Sequence, residues 1–424
     1  MNVIELYRSR LFKQSKNPIE SAKRMVSAVQ VFVGIRDVFG DNELISYAVK
    51  CGLMNMSFPE WSPFPLLAVV TFAGSFVYTG QFSQSIYLVQ VFPDKARTFQ
   101  ALNCISATCI PFSKYIFMWS SRYRLKAIME MSQEGLSVLP EESSGRNRML
   151  QTLNTARGIS WLVILNQAAI HIIYLVIPIV FTIFGSERYL PTTPGESFGL
   201  SPKYETPFYE ATFVITCLAT AFSAINQTGY IVLFVTLIAH ELGHFYVITE
   251  TFNDIFGILT KRKNSEESNE ELLIYTSKLV DEKLAFCVRH HQFLIRYHGK
   301  IRQLYKAIFG AQFLMMIIVL VTTLQTMNSW GFSNTILTGV TGVMPLTIYC
   351  FGGELMISAA TNMSKAVYSC GWELMNVRQA RAVCLMLCLS QRPLHLSAAG
   401  FATMNRETFA NVVQAVYKIY AVFN

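Results

Sequence analysis

Charge is scarce in this sequence: Asp, Glu, Lys and Arg supply 15% of its 424 residues, where a soluble domain carries roughly 25%. That shortage points away from a water-soluble multidomain protein and toward a membrane. Paired cysteine is missing as well. Nine cysteines are scattered singly, Cys104, Cys109, Cys217, Cys350 and Cys384 among them, with no CxxC spacing, so neither a disulfide framework nor a zinc site follows. The N-terminus alternates charges instead of joining a basic run to an apolar core; no cleavable signal peptide is expected, and the first spanning helix would serve as the targeting signal. Internal repeats are absent too, which weakens the case for a transporter made of duplicated halves.

Apolar residues, by contrast, make up 52% of the chain. Residues 18–36 place Ala22, Met25, Val26, Val29 and Val33 at helical spacing opposite Glu20, Lys23, Arg24 and Gln30, the pattern of a helix lying on or dipping into a membrane. Seven stretches have the length a bilayer demands: 65–91, 98–120, 159–184, 212–237, 307–326, 336–357 and 407–423. Gln81, Ser83 and Gln84 dilute the first, and the last is short.

Basic residues crowd the N-terminal segment and the second, fourth and sixth loops, whereas the other loops offer Lys95, Arg97, Arg188 and Lys203. The N-terminus is therefore expected inside and, after seven crossings, the C-terminus outside. A G-protein-coupled receptor has the opposite arrangement, and its Asp-Arg-Tyr and Asn-Pro-x-x-Tyr signatures are missing from the third and seventh spans. The expected fold is an all-α membrane protein with seven transmembrane helices and cytoplasmic helical extensions. Leu272 to Lys306, helical in pattern but too charged for lipid, would extend the fifth span into the cytoplasm. The organisation expected is a cytoplasmic segment over 1–60, six spans with a ligand pocket over 61–360, and an anchor helix with a pore-lining seventh span over 361–424.

Several constellations carry chemistry. His240-Glu241-Leu242-Gly243-His244 matches the zinc-protease pattern H-E-x-x-H, in which two histidines share a helix face and the Glu activates water. Such a site needs a third ligand, and no later motif supplies one convincingly. His290, His291 and His298 read as surface or interhelical hydrogen-bonding groups, and Lys114 as a side chain snorkelling to the cytoplasmic headgroups. In the outer half, Gln167, His171 and Tyr174 recur at i, i+4, i+7 on the third span. On topology they would face Phe99, Asn103 and Ser106 of the second span, Phe213 and Cys217 of the fourth, and Ile336, Leu337 and Val340 of the sixth. Together these residues describe either an apolar cavity with a few polar groups or a packed core. The last span places Phe409, Val412, Val413, Val416, Tyr420 and Phe423 on one face, and Thr408, Asn411, Ala415, Lys418 and Val422 on the other. Polar groups in hydrocarbon face protein or water, so the second face borders either a water-filled path or polar partners.

The C-terminal residues also carry a resemblance. Tyr368-Ser369-Cys370-Gly371-Trp372-Glu373, Ser390-Gln391-Arg392-Pro393-Leu394-His395-Leu396, Ala399-Gly400-Phe401, Glu407-Thr408-Phe409 and the closing Tyr420-Ala421-Val422 resemble, in order and spacing, the C-terminal signature of insect odorant receptors. The resemblance implies a ligand-gated cation channel subunit in the plasma membrane of olfactory sensory neurons, forming a heterotetramer with the shared co-receptor. It implies an odorant pocket between the second and sixth spans and a pore lined by the seventh helices, with Asn411, Ala415, Lys418 and Val422 at the lining or gate. No cofactor, metal or nucleic acid is implied. Val422 falls where the co-receptor places a hydrophobic gate ring, but the co-receptor's next gate leucine has no counterpart here. That difference and Lys418 suggest an odour-tuning subunit. The same resemblance lowers the protease reading.

Overall fold

The computed structural model describes residues 66–140, 143–185, 188–191, 197–264, 270–327, 332–392 and 394–423. The amphipathic helix expected over 18–36, and all of segment 1–60, lie outside the described residues.

The first expected span is helical but interrupted. Helix α1 (Leu66–Val77) passes through a π-helical turn (Tyr78–Phe82) into α2 (Ser83–Val91). Its polar residues account for the break: Gln81 Nε2 donates to Thr108 Oγ1 at 2.6 Å, and that hydroxyl lies 3.0 Å from the Gly80 carbonyl. Helix α3 (Lys95–Ser120) follows, its N-terminus capped by Asp94, which accepts from Arg97 N at 3.2 Å. Ser121 then separates it from α4 (Arg122–Ser137). Three long helices succeed, α5 (Ser144–Phe184), α6 (Phe208–Asn264) and α7 (Glu270–Gln325), then α8 (Phe332–Tyr368). Helix α9 (Val377–Ser390) starts from a capping box in which Asn376 and Gln379 satisfy each other's backbone N–H groups. A two-stranded antiparallel ladder, β1 (Ser397–Ala398) and β2 (Ala402–Thr403), leads into α10 (Arg406–Phe423). Asn405 caps that last helix, accepting from Thr408 N at 2.9 Å.

Among the described residues, helix runs through nearly all of each of the seven expected ranges. Among the described residues four helices are long and apolar enough to cross a membrane: α5, α6, α7 and the one within 338–374. Helices α1 and α2 are too short, at 12 and 9 residues, and α3 and α10 carry more polar residues. Residues 272–306 run without a break into the fifth expected span, making α7 56 residues long.

Helix α6 is the axis of the fold. Its most apolar window is 94% buried, against 17% for that of α5. A helix that is apolar all round belongs inside other helices, whereas α5 turns Leu162, Leu165, Ile172 and Ile183 outward. At the centre, the Phe234 ring meets Tyr305 at 5.3 Å, Phe309 at 5.6 Å and Tyr349 at 4.9 Å, all edge to face. Such pairs contribute roughly 0.5–1.5 kcal/mol beyond their buried area, and this set ties α6, α7 and α8 together.

Below that cluster the H-E-x-x-H segment is fully enclosed. His240 Nδ1 bonds the Thr236 carbonyl of its own helix at 2.9 Å, Glu241 Oε1 lies 2.7 Å from His298 Nδ1, and His244 Nδ1 lies 3.0 Å from His290 Nε2. Ser132 of α4 joins through Tyr297 at 2.7 Å. The motif thus fastens α6 to α7, and among the described residues no three His, Cys, Asp or Glu side chains are arranged to hold a metal. Burial lowers the His290 pKa to about 4. Burial, with repulsion from His290 and His240, holds His244 well below the ordinary histidine value. Both rings are therefore neutral near pH 7, so each carries one N–H donor and one bare nitrogen acceptor, and the bond between them uses one of each.

The turn into α10 is held tightly. The Met404 carbonyl oxygen packs directly against Gly353 of α8, where a Cβ would collide with it. Ala399 N donates to the Lys306 carbonyl at 2.9 Å, and Met404 N to the Leu396 carbonyl at 2.9 Å. Ala399, at φ 50°, and Gly400, at φ 92°, both take left-handed backbone in this turn, which costs glycine least.

Candidate ligand cavity

Between α3, α5, α6, α7 and α8 lies a cavity of about 160 Å³. Helix α3 contributes Ala107, Ile110 and Pro111; α5 contributes Gln167, Ile170, His171 and Tyr174; α6 contributes Ser223 and Gln227. Met316 and Val319 come from α7, and Thr338, Thr341 and Gly342 from α8. Two prolines help explain the space. Pro111 cannot donate to the Ala107 carbonyl, and Pro345 cannot donate to that of Thr341. Residues 107 and 341 both belong to the wall, so a helical ladder bond is missing on two sides of it.

The polar residues divide into a wall and a floor. His171 Nδ1 donates to the Gln167 carbonyl at 2.7 Å, and the Tyr174 hydroxyl lies 3.5 Å from Thr338 Oγ1. At the floor Gln227 Oε1 accepts from Lys114 Nζ at 2.9 Å, and that ammonium lies 5.3 Å from the centre of the Tyr349 ring. This corrects the expectation for Lys114. It is 0% exposed and does not snorkel, because a carboxamide oxygen and an aromatic face reach it inside the bundle.

Of the residues expected in the pocket, the structure brings Gln167, His171 and Tyr174 to the cavity wall. Phe99, Asn103, Ser106, Phe213, Cys217 and Val340 are not part of it. Asn103 instead joins α3 to α7: its Nδ2 lies 3.1 Å from the Val319 carbonyl, 2.9 Å from Thr322 Oγ1 and 2.8 Å from Thr323 Oγ1. Ser106 is buried nearby and Cys217 is half-buried, while Phe213 lies tilted against Tyr209 with ring centres 6.1 Å apart. Val340 is 47% exposed. The side chains of Ile336 and Leu337 lie outside the described residues. The cavity lies deeper along α3 and α6 than expected. Ala107 and Pro111 stand one and two turns beyond Asn103, and Ser223 and Gln227 lie one to three turns beyond Cys217. Spacing along a helix marks a polar face but carries no information on depth.

On α10, Val412 and Val416 are buried, and Phe409 packs on Phe351 with ring centres 6.2 Å apart. Asn411, Lys418 and Val422 are exposed, and Ala415 is half-buried. Val413, expected on the packed face, is 45% exposed. The helices that wall the cavity also hold α10. On α7, Gln325 Nε2 donates to the Tyr420 carbonyl at 3.3 Å; on α8, Glu354 accepts from Arg406 N at 3.3 Å.

Known proteins share this architecture. The solved olfactory receptor OR5 from Machilis hrabei superposes with a TM-score of 0.65 at 13% identity, over 84% of this chain and 87% of that one. Its complex with eugenol superposes with a TM-score of 0.67, over 90% and 99%. At that identity the likeness is one of fold. In Drosophila melanogaster, Odorant receptor 10a is 26% identical over 230 residues, 51% of this chain and 52% of that receptor. Odorant receptor 49a is 23% identical over 144 residues, 33% of this chain and 36% of its own length. The chain thus aligns with about half or less of these relatives. A family model described as 7tm Odorant receptor matches residues 96–417; since that match runs from the start of α3 nearly to the end of α10, this chain belongs to the 7tm odorant receptor family.

Proposed function

We propose that this chain is the odour-tuning subunit of a ligand-gated cation channel in the plasma membrane of olfactory sensory neurons, assembled as a heterotetramer with a shared co-receptor. A small volatile molecule occupies the α3–α5–α6–α7–α8 cavity, and α10 lines the pore with Asn411, Ala415, Lys418 and Val422. The observation that carries the reading is that α7 and α8 wall the cavity at Met316, Val319, Thr338 and Gly342 and also grip α10 through Gln325 and Glu354. A ligand that packs better when α7 and α8 stand slightly apart favours the state in which α10 has moved. It shifts that equilibrium by its difference in affinity for the two states and by no more. The solved relative complexed with eugenol supports an odorant as occupant.

Expression with and without the co-receptor tests the assignment. Odour-evoked current is expected when both are present; robust current from this chain alone overturns the tuning role. For the pore, Lys418→Ala is expected to raise cation conductance or alter cation preference, because a positive charge at a narrow passage opposes cation entry. Single-channel currents identical to the native ones place Lys418 off the lining.

A further inference from the structure

We infer that the ligand carries a hydrogen-bond-accepting oxygen on a body of about one ring, and that the Gln167 carboxamide selects for that oxygen. The inference deepens the proposed function and rests on the cavity being the ligand site. Gln167 is 3% exposed and lines the cavity, yet its Nε2 has no partner within the protein. A carboxamide nitrogen brings two N–H donors, and leaving them unmet in hydrocarbon is costly. The neighbouring groups do not relieve it. His171 Nδ1 takes the Gln167 backbone carbonyl, Thr341 Oγ1 donates to the Thr338 carbonyl at 2.8 Å, and the Gln227 oxygen is held by Lys114. The missing acceptor must arrive with the occupant. The cavity of about 160 Å³ sets the size, since an apolar cavity of roughly 150 Å³ accepts benzene. An aldehyde, ketone or alcohol on a single ring or a comparably small chain satisfies both conditions, whereas the matched hydrocarbon fills the space and leaves the amide unmet.

The probes are matched pairs: benzaldehyde, benzyl alcohol and acetophenone against toluene and ethylbenzene, applied to cells expressing the full chain with the co-receptor. The native receptor is expected to respond to the oxygenated series at concentrations about tenfold or more lower than to the hydrocarbons. Gln167→Leu and Gln167→Met, both checked by surface labelling, are expected to close that gap. Gly342→Val, which places a side chain at the cavity wall, is expected to weaken both series. Equal native responses to the two series, responses to hydrocarbons alone, or none at all overturn the inference whether or not the variants fold. A gap that survives in the Gln167 variants while Gly342→Val silences the receptor overturns the inference but leaves the cavity as ligand site. Responses untouched by Gly342→Val remove the cavity reading itself.

Discussion

Gly353→Ala is expected to disable this receptor by adding a single methyl group. The new Cβ would fall on the Met404 carbonyl oxygen, and backbone cannot yield as a flexible side chain can. Either α8 must bow or the turn before α10 must move, and overpacking of this kind costs about 1–3 kcal/mol, occasionally more. The turn is already pinned on its other side, where Ala399 N donates to Lys306 of α7 and a Cβ at Gly310 would strike Ala399. The strain therefore passes to the start of α10, and loss of both surface expression and odour-evoked current is the expected result. Gly339→Ala on the same helix is the control. Nothing lies within 4 Å of its added Cβ, so better helix propensity, about 0.8–1 kcal/mol, should leave the protein equally or more stable. Thermal unfolding in detergent separates the two variants, and equal melting temperatures would show that the α8–Met404 contact does not hold the last helix.

The second large effect is expected at Glu241→Ala. Glu241 is 0% exposed and bonds His298 at 2.7 Å. Removing one partner of such a buried pair costs about 3–5 kcal/mol, because the other is left unpaired in a site that water does not reach. Glu241→Gln retains an oxygen for His298 Nδ1 and should lose far less. The pair of variants also separates the two readings of H-E-x-x-H. A structural clamp predicts that Glu241→Gln keeps odour-evoked current and most thermal stability; a hydrolytic site predicts that the same change abolishes a cleavage activity while leaving stability intact.

The fate of that motif shows where sequence reading reaches its limit. Two histidines and a carboxylate one turn apart look the same whether they face a metal or other side chains. The decision belongs to α7, whose His290 bonds His244 and whose His298 bonds Glu241. Asn103 and Lys114 carry the same lesson. Both are polar residues in an apolar helix, which marks them as facing protein, yet their partners lie more than a hundred residues away, at Thr322, Thr323 and Gln227.

Local chemistry was enough to determine that this chain is helical, where its seven apolar stretches run, which face of the third expected span is polar, and where the C-terminal signature lies. Those properties depend on period and composition, which neighbouring residues share along the chain. The depth of the cavity, the burial of Lys114, the closing of H-E-x-x-H on α7 and the seating of the Met404 turn against Gly353 were decided by the tertiary structure alone. Each depends on how far one helix slides and crosses along another, and that displacement arises from close packing between segments distant in sequence.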